Sequence, residues 1–318
     1  MHIGLVGLGR MGGNMRARLR QAGVEVTGYD RNLEVSDVDS LAALVAALPV
    51  PRTVWVMVPA GPPTGATIAE LAALLAADDL VIDGGNTKYT DDAVHAASLA
   101  GRGIHFLDCG VSGGIWGQDF GYGLMVGGDA ALVQRAMPVF DALRPPGPRE
   151  EGFVHAGAVG AGHYAKMVHN GIEYGLMQAY AEGYDLLEAK EIVTDVHGCF
   201  KAWSRGTVVR SWLLDLFVKA LEADPELERI SGYVEDSGEG RWTVEEAIAN
   251  AVPLPVISAA LFARFSSRQP DSAAMRAVAA LRQQFGGHPV KAAPGPEGAT
   301  GSDAPITAGP SSGTGDTR

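Results

Sequence analysis

HIGLVGLGRMGGNMRARLRQAGVEVTGYD, residues 2–30, runs from an apolar segment through a glycine turn into a helical pattern, and out into a β-rich segment that ends on an acid. HIGLV reads as a buried strand, and MGGNMRARLRQAG as the helix that follows it. Between them lies GLGRMG, residues 7–12. Glycines at its first, third and sixth positions permit a tight turn and a close backbone approach to a pyrophosphate at the helix N-terminus. Gly7, Leu8, Gly9, Arg10, Met11 and Gly12 are therefore candidate cofactor-binding residues. Asp30 ends the second strand, where a carboxylate can accept hydrogen bonds from an adenosine ribose and repel a 2′-phosphate. That favours NAD. Arg31, next to it, can pair with that phosphate or stack on adenine, which keeps NADP open.

Outward from this unit the alternation continues. RTVWVMV, DLVIDGG and GIHFLDCG read as further strands, separated by helical segments such as LAALVAAL and IAELAALLA. This is a βαβ series, and it predicts an α/β, Rossmann-type parallel sheet with helices on both faces over residues 1–158. RPPGPREEG, residues 144–152, breaks the pattern. Over 159–291 the periods are helical, with Trp203, Trp212, Leu213, Leu214, Leu216 and Phe217 as bulk for an all-α substrate and oligomerisation domain. From 292 to 318 the chain is Gly, Pro, Ser, Thr and Ala with almost no large apolar residue, the composition of a disordered tail.

Two stretches fall at strand ends, where a doubly wound sheet forms its crevice. DGGNTKYTDD, residues 83–92, offers Asn86 as a donor and acceptor pair. CGVSGGIWGQDFGYG, residues 109–123, reads as a tightly folded loop in which Ser112, Gly113 and Gly114 present a hydroxyl and exposed amides to a carboxylate or polyol.

HYAKMVHNGIEYG, residues 163–175, places Lys166, Asn170 and Glu173 at i, i+4 and i+7 on one helical face, with His169 and Tyr174 flanking it. The helix continues through GLMQAYAEGYDLL, with Gly171, Gly175, Ala179 and Gly183 every fourth residue on the far side. Small residues at that spacing admit another backbone, so the helix is expected inside the protein with its ionisable stripe facing a cavity. A Lys and a Glu so placed have the pKa perturbation that acid/base catalysis needs.

The 318 residues carry a formal charge of −12, which argues against nucleic acid or an anionic membrane as a partner. No apolar run approaches the ~20 residues of a membrane span and no basic signal region opens the chain, so a cytoplasmic protein is expected. Cys109 and Cys199 lack metal-ligand spacing and read as ordinary thiols, with no metal implied. In this acidic chain Arg241, Thr243, Arg264, Arg282 and His288 stand out in VEDSGEGRWT, LFARFSSR and RQQFGGH as equipment for a phosphate.

Taken together, GLGRMG, VMVPAG, DGGNTKY, the SGG of GVSGGIWG, KMVHNGIEYG, GRWT and LFARF, in order from residue 7 to 265, resemble the decarboxylating 6-phosphogluconate dehydrogenases of the pentose phosphate pathway. RQQFGGH extends the likeness to His288, and the length is similar to the short form of that family. The resemblance implies Lys166 as general base toward the C3 hydroxyl and Glu173 as general acid toward C1 after decarboxylation. It implies His169, Asn170, Asn86, Ser112, Gly113 and Gly114 on the carboxylate and hydroxyls, and Val58 of VMVPAG with Asn86 beside the cofactor. Tyr174, Arg241, Thr243 and Arg264 would hold the phosphate, with Arg282 and His288 reaching in from a second subunit of a homodimer or homotetramer. Two departures stand out: Arg241 replaces the family's usual Lys, and Asp30-Arg31-Asn32 replaces the Asn-Arg-Thr triplet common in NADP-binding members. Alternatives are a 3-hydroxy acid dehydrogenase of the related β-hydroxyacid group, or the same sugar-acid reaction with a deazaflavin as hydride acceptor. A cofactor-binding sensor without catalysis would not need Lys166 and Glu173.

Overall fold

The computed structural model describes residues 1–286 and 289–291. In chain order the elements are β1 His2–Val6, α1 Arg10–Gln21, β2 Glu25–Tyr29, α2 Leu41–Ala47, β3 Thr53–Val56, α3 Pro62–Leu74, β4 Leu80–Asp83, α4 Tyr89–Ala100 and β5 His105–Ser112. There follow α5 Gly117–Phe120, β6 Gly123–Gly127, α6 Ala130–Leu143, β7 Phe153–Gly157, α7 Ala161–Glu188, α8 Val196–Trp203, α9 Trp212–Ala223, α10 Glu239–Ala249, α11 Pro255–Ser267 and α12 Ala273–Gly286. An α/β sheet domain therefore precedes a helical region, as the alternation of periods predicts.

Among the described residues the sheet has seven strands in the order β2-β1-β3-β4-β5-β6-β7. The first five are parallel, and β3 and β4 are buried along their whole length, as strands covered on both faces must be. Successive residues of β3 point to opposite faces: Trp55 packs in a cluster with Met15, Leu19 and Phe140, whereas Val54 and Val56 pack with Leu44, Ile68 and Leu71. Helices α1 and α6 cover one face and α2, α3 and α4 the other.

The sheet differs from the expected one at its far edge. β6 runs antiparallel to β5, pairing Cys109 with Val126 and Val111 with Leu124, and β7 extends it within RPPGPREEG's immediate sequel. Part of the loop read at 109–123 is strand, since β5 runs on to Ser112 before the chain turns at Gly113 and Gly114. The short connection from β5 to β6 is what allows antiparallel pairing, because a parallel partner would need a crossover of a dozen residues or more.

The described chain divides into two compact units, Met1–Ile230 with Asp236–Phe262, and Ser231–Glu235 with the residues from Ala263 on. In the first unit α7 packs on β5, β6 and β7, so the boundary expected at 158/159 falls inside one compact unit. The expectation that α7 is interior holds for its first half only. His163, Lys166, Asn170, Tyr174 and Gly175 are buried, but Leu176 and Leu186 are exposed. The helix outruns the sheet, and in its distal half Tyr180, Tyr184 and Leu187 pack around Phe200 of α8 and Leu214 and Val218 of α9. Gly171 and Gly175 do lie against neighbours, Thr243 and Val256, whereas Gly183 faces open space. In the second unit Val234 N–H donates to Ser267 Oγ at 3.0 Å, and Arg264 donates to Glu235 O at 3.0 Å. No described helix is long and apolar enough to cross a membrane.

Candidate active site

The carboxyl ends of β1, β2, β3, β4 and β5 open onto one cavity of about 1450 Å³. At β1, Gly12 sits so close to Gly7 O that a Cβ there would collide with backbone, which fixes the tight turn into α1. The N-terminus of α1 has no side-chain cap and no acid in its first turn, and a Cβ at Gly9 would meet nothing. Such a terminus has free amides and a positive dipole end turned to open space, which suits a pyrophosphate. Asp30 is held beside it: Leu8 N–H donates to its Oδ2 at 2.6 Å and Asn32 N–H to its Oδ1 at 2.9 Å. Gly7, Gly9, Arg10, Met11, Gly12, Asp30, Arg31 and Val58 line the cavity, whereas Leu8 does not: its side chain is buried and its amide is spent on Asp30. These residues fit a dinucleotide.

Asn86 reaches the cavity from the turn after β4, whose shape is set by Asp83 accepting from Gly85 N–H at 3.0 Å and from the Thr87 hydroxyl at 2.7 Å. Ser112, Gly113 and Gly114 reach it from the end of β5.

Opposite them stands α7. Asp108 of β5 accepts from Gly160 N–H at 2.7 Å and from His163 N–H at 2.9 Å, capping a helix whose own N-cap is a glycine. At Gly110 a Cβ would collide with the Cβ of Lys166, so the helix lies on bare strand there. Lys166 is buried, with Nζ donating to Asn170 Oδ1 at 2.6 Å. The same oxygen lies 3.1 Å from His169 Nδ1, and His169 Nε2 lies 3.2 Å from Ser112 Oγ. An amide oxygen only accepts, so Nδ1 carries a proton, and in the neutral imidazole Nε2 is then the acceptor for the serine hydroxyl. Glu173 Oε2 is 3.8 Å from His169 Nδ1 at the mouth of the same group. Burial lowers the Lys166 pKa below its ordinary value, against the pull of Glu173 and Glu239. A buried amine with a lowered pKa beside amide, imidazole and hydroxyl groups can take a proton from a substrate hydroxyl.

Behind α7, His163 Nδ1 is 2.9 Å from Asp92 Oδ2, both wholly buried. Burial raises Asp92 to about 7 despite the imidazole. For His163 burial opposes the charged form, but the hydrogen bond and charge of Asp92 outweigh it and raise the imidazole to about 9.

Of the residues predicted for the phosphate, Tyr174, Arg241 and Thr243 lie outside the lining of the cavity. Thr243 is buried with its hydroxyl donated to Met167 O at 2.9 Å and close to Glu239 O at 2.8 Å. Tyr174 is buried with Oη 3.2 Å from Ser237 N. Arg241 pairs with Asp236 through contacts of 2.7 and 3.0 Å. None of the three lines the cavity. Arg264 and Arg282 belong to the second unit, and His288 lies outside the described residues. Missed from the sequence were Trp212, Leu213 and Leu216, read as core bulk but lining the cavity with Ile115, Trp116, Ile172 and Leu176. Only their alternation with Leu214 and Phe217 on α9, which do pack in a core, could have marked them.

The NAD binding domain of 6-phosphogluconate dehydrogenase matches residues 2–145, and that enzyme's C-terminal domain matches residues 162–293. The chain belongs to the 6-phosphogluconate dehydrogenase family. It is an oxidoreductase of this kind, with a nicotinamide cofactor. It is 41% identical over 300 residues to an NAD(+)-dependent, decarboxylating 6-phosphogluconate dehydrogenase of Haloferax volcanii, covering 91% of this chain and 98% of that one. It is 36% identical to the NADP(+)-dependent enzyme of Bacillus subtilis, covering 85% of this chain but 62% of that one. The 6-phosphogluconate dehydrogenase of Plasmodium falciparum, solved apo, with NADP+ and with 6-phosphogluconate, superposes with a TM-score of 0.76 at 26% identity, over 90% of this chain and 65% of that one.

Proposed function

We propose that this chain oxidises and decarboxylates 6-phosphogluconate to ribulose 5-phosphate and CO₂, with NAD preferred over NADP. Lys166 carries the reading, as a buried amine that shares one cavity with the glycine loop and with Asn86, Ser112, Gly113 and Gly114. Held by the glycine loop and Asp30, a nicotinamide cofactor would supply the hydride acceptor for C3. Lys166 takes the proton of the C3 hydroxyl and returns one to the new carbonyl oxygen as CO₂ leaves. Glu173 then protonates C1 of the enediol while Lys166 takes the proton of the enediol hydroxyl, which leaves the ketone. His169 and Asn170 hold Lys166 and the substrate hydroxyls in register, with Ser112 fixing the imidazole.

Asp30 supports NAD, because a fixed carboxylate accepts ribose hydroxyls and repels a 2′-phosphate. The naming of the Haloferax volcanii relative as NAD(+)-dependent agrees with it. Phosphate binding by Tyr174, Arg241, Thr243, Arg264, Arg282 and His288, within a homo-oligomer, is part of the same proposal. Alanine at Arg241, Arg264 or Arg282 should weaken 6-phosphogluconate more than gluconate. The deciding experiment is 6-phosphogluconate oxidation with NAD, NADP and a deazaflavin side by side, with CO₂ release followed. Turnover of a 3-hydroxy acid without CO₂ release would overturn the reading.

A further inference from the structure

Glu239 opens α10 and is 2% exposed, an unusual position for a carboxylate. Its place is fixed by close packing on α7. One hydroxyl, that of Thr243, lies 2.8 Å from Glu239 O and 2.9 Å from Met167 O, so the first turn of α10 is tied to the residue after Lys166. A Cβ at Gly171 would fall 2.8 Å from Thr243 Cγ2, and one at Gly240 would fall 2.5 Å from the Tyr174 ring. Two glycines, one on each helix, thus allow an approach that holds Glu239 against the buried turn of α7.

We infer that Glu239 is a positioning residue for the proposed reaction, the fixed counter-charge to the ammonium that Lys166 becomes on taking the substrate's proton. This rests on Lys166 being the base. A cation formed in a buried site needs a compensating anion that is already in place. The charges acting on Glu239 are those of Lys166 and His163 of α7. Glu173 also acts on Lys166, and Asp92, Asp83 and Asp108 act on His163. His163 is already paired with Asp92, which leaves Lys166 as the cation for Glu239 to serve. Burial pushes Glu239 up to about 7, against the pull of Lys166 and His163, so its charge is available in neutral and alkaline solution.

The test is the pKa of Lys166 itself, read by competitive labelling with acetic anhydride against pH, with exposed Lys190 as internal reference. Glu239→Gln, verified as folded by circular dichroism, keeps the shape and removes the charge. It should lower the Lys166 pKa by about one unit, a tenfold rise in the neutral fraction below it. The acidic limb of kcat/KM for 6-phosphogluconate should move down in step, and Glu239→Asp should restore much of the wild-type position. A Glu239→Gln labelling curve that superposes on wild type overturns the inference. Should Glu239→Gln not fold, Glu239→Ser, which also removes the charge, is read in the same way, and an unmoved curve and unmoved limb in it overturn the inference equally. Loss of the base reading is separable, because it would show as activity retained in Lys166→Met whatever the labelling of Lys166 in the Glu239 variants.

Discussion

Asn170 Oδ1 lies 2.6 Å from Lys166 Nζ, one helical turn away, and 3.1 Å from His169 Nδ1. A single amide oxygen therefore fixes both the amine and the tautomer of the imidazole, and joins Ser112 of β5 to the chain of contacts through His169. Lys166→Met should abolish hydride transfer while cofactor titration stays unchanged, since the glycine loop is untouched. A positioned base contributes about 10²–10⁴-fold, so a variant retaining a tenth of the wild-type kcat would remove Lys166 from that role.

Asp30 has two duties, accepting from Leu8 N–H and facing the cavity. Asp30→Asn keeps one oxygen for the Leu8 amide and removes the charge. The ratio of kcat/KM for NADP over NAD should rise roughly tenfold, in line with about 1.5 kcal/mol for a hydrogen bond to a charged group. An unchanged ratio would assign cofactor choice to other residues.

Gly110 is where strand and helix touch. Gly110→Ala places a methyl against the Cβ of Lys166 and near Gly162 O at 2.7 Å. Overpacking of this kind typically costs about 1–3 kcal/mol, seen as a lowered melting temperature. Because α7 must lift at Lys166, kcat should fall more than KM rises. Wild-type stability and kcat in Gly110→Ala would mean that the close contact does not set the position of Lys166.

The stripe Lys166, Asn170, Glu173 was legible because i, i+4 and i+7 spacing survives any tertiary arrangement. The glycine loop was legible because a GxGxxG turn between a strand and a helix, with an acid ending the next strand, is the pattern of a dinucleotide-binding turn. β6 and β7 were not. GLMVG and FVHAG are five residues each, with two glycines in the first and turn residues flanking both, and the antiparallel pairing of β6 with β5 leaves no periodic mark. Glu239 escaped for a different reason. Its burial comes from Thr243 and Gly171 on two distant segments, and a Glu in GEGRWT reads as a solvated helix start until those segments meet.

The buried pair of His163 and Asp92 makes stability depend on pH with a definite sign. His163 is raised from its ordinary 6.5 to about 9, so folding takes up a proton between those values. Its stabilising contribution is complete below 6.5 and is lost as pH rises through about 9. Asp92, raised from 3.8 to about 7, acts in the same sense at lower pH, complete below 3.8 and lost as pH rises through about 7. The wild-type melting temperature should therefore fall between pH 6.5 and about 9 more steeply than that of the double variant Asp92→Asn, His163→Gln. Removing only the imidazole, in His163→Gln, leaves Asp92 buried without its cation, a loss that typically costs about 3–5 kcal/mol. Since Asp108 caps α7 through the backbone N–H of His163 and not through its ring, the helix itself should persist in that variant, with its far-ultraviolet circular dichroism retained. Parallel melting curves for the wild type and the double variant across this range would show that the pair does not exchange a proton on unfolding.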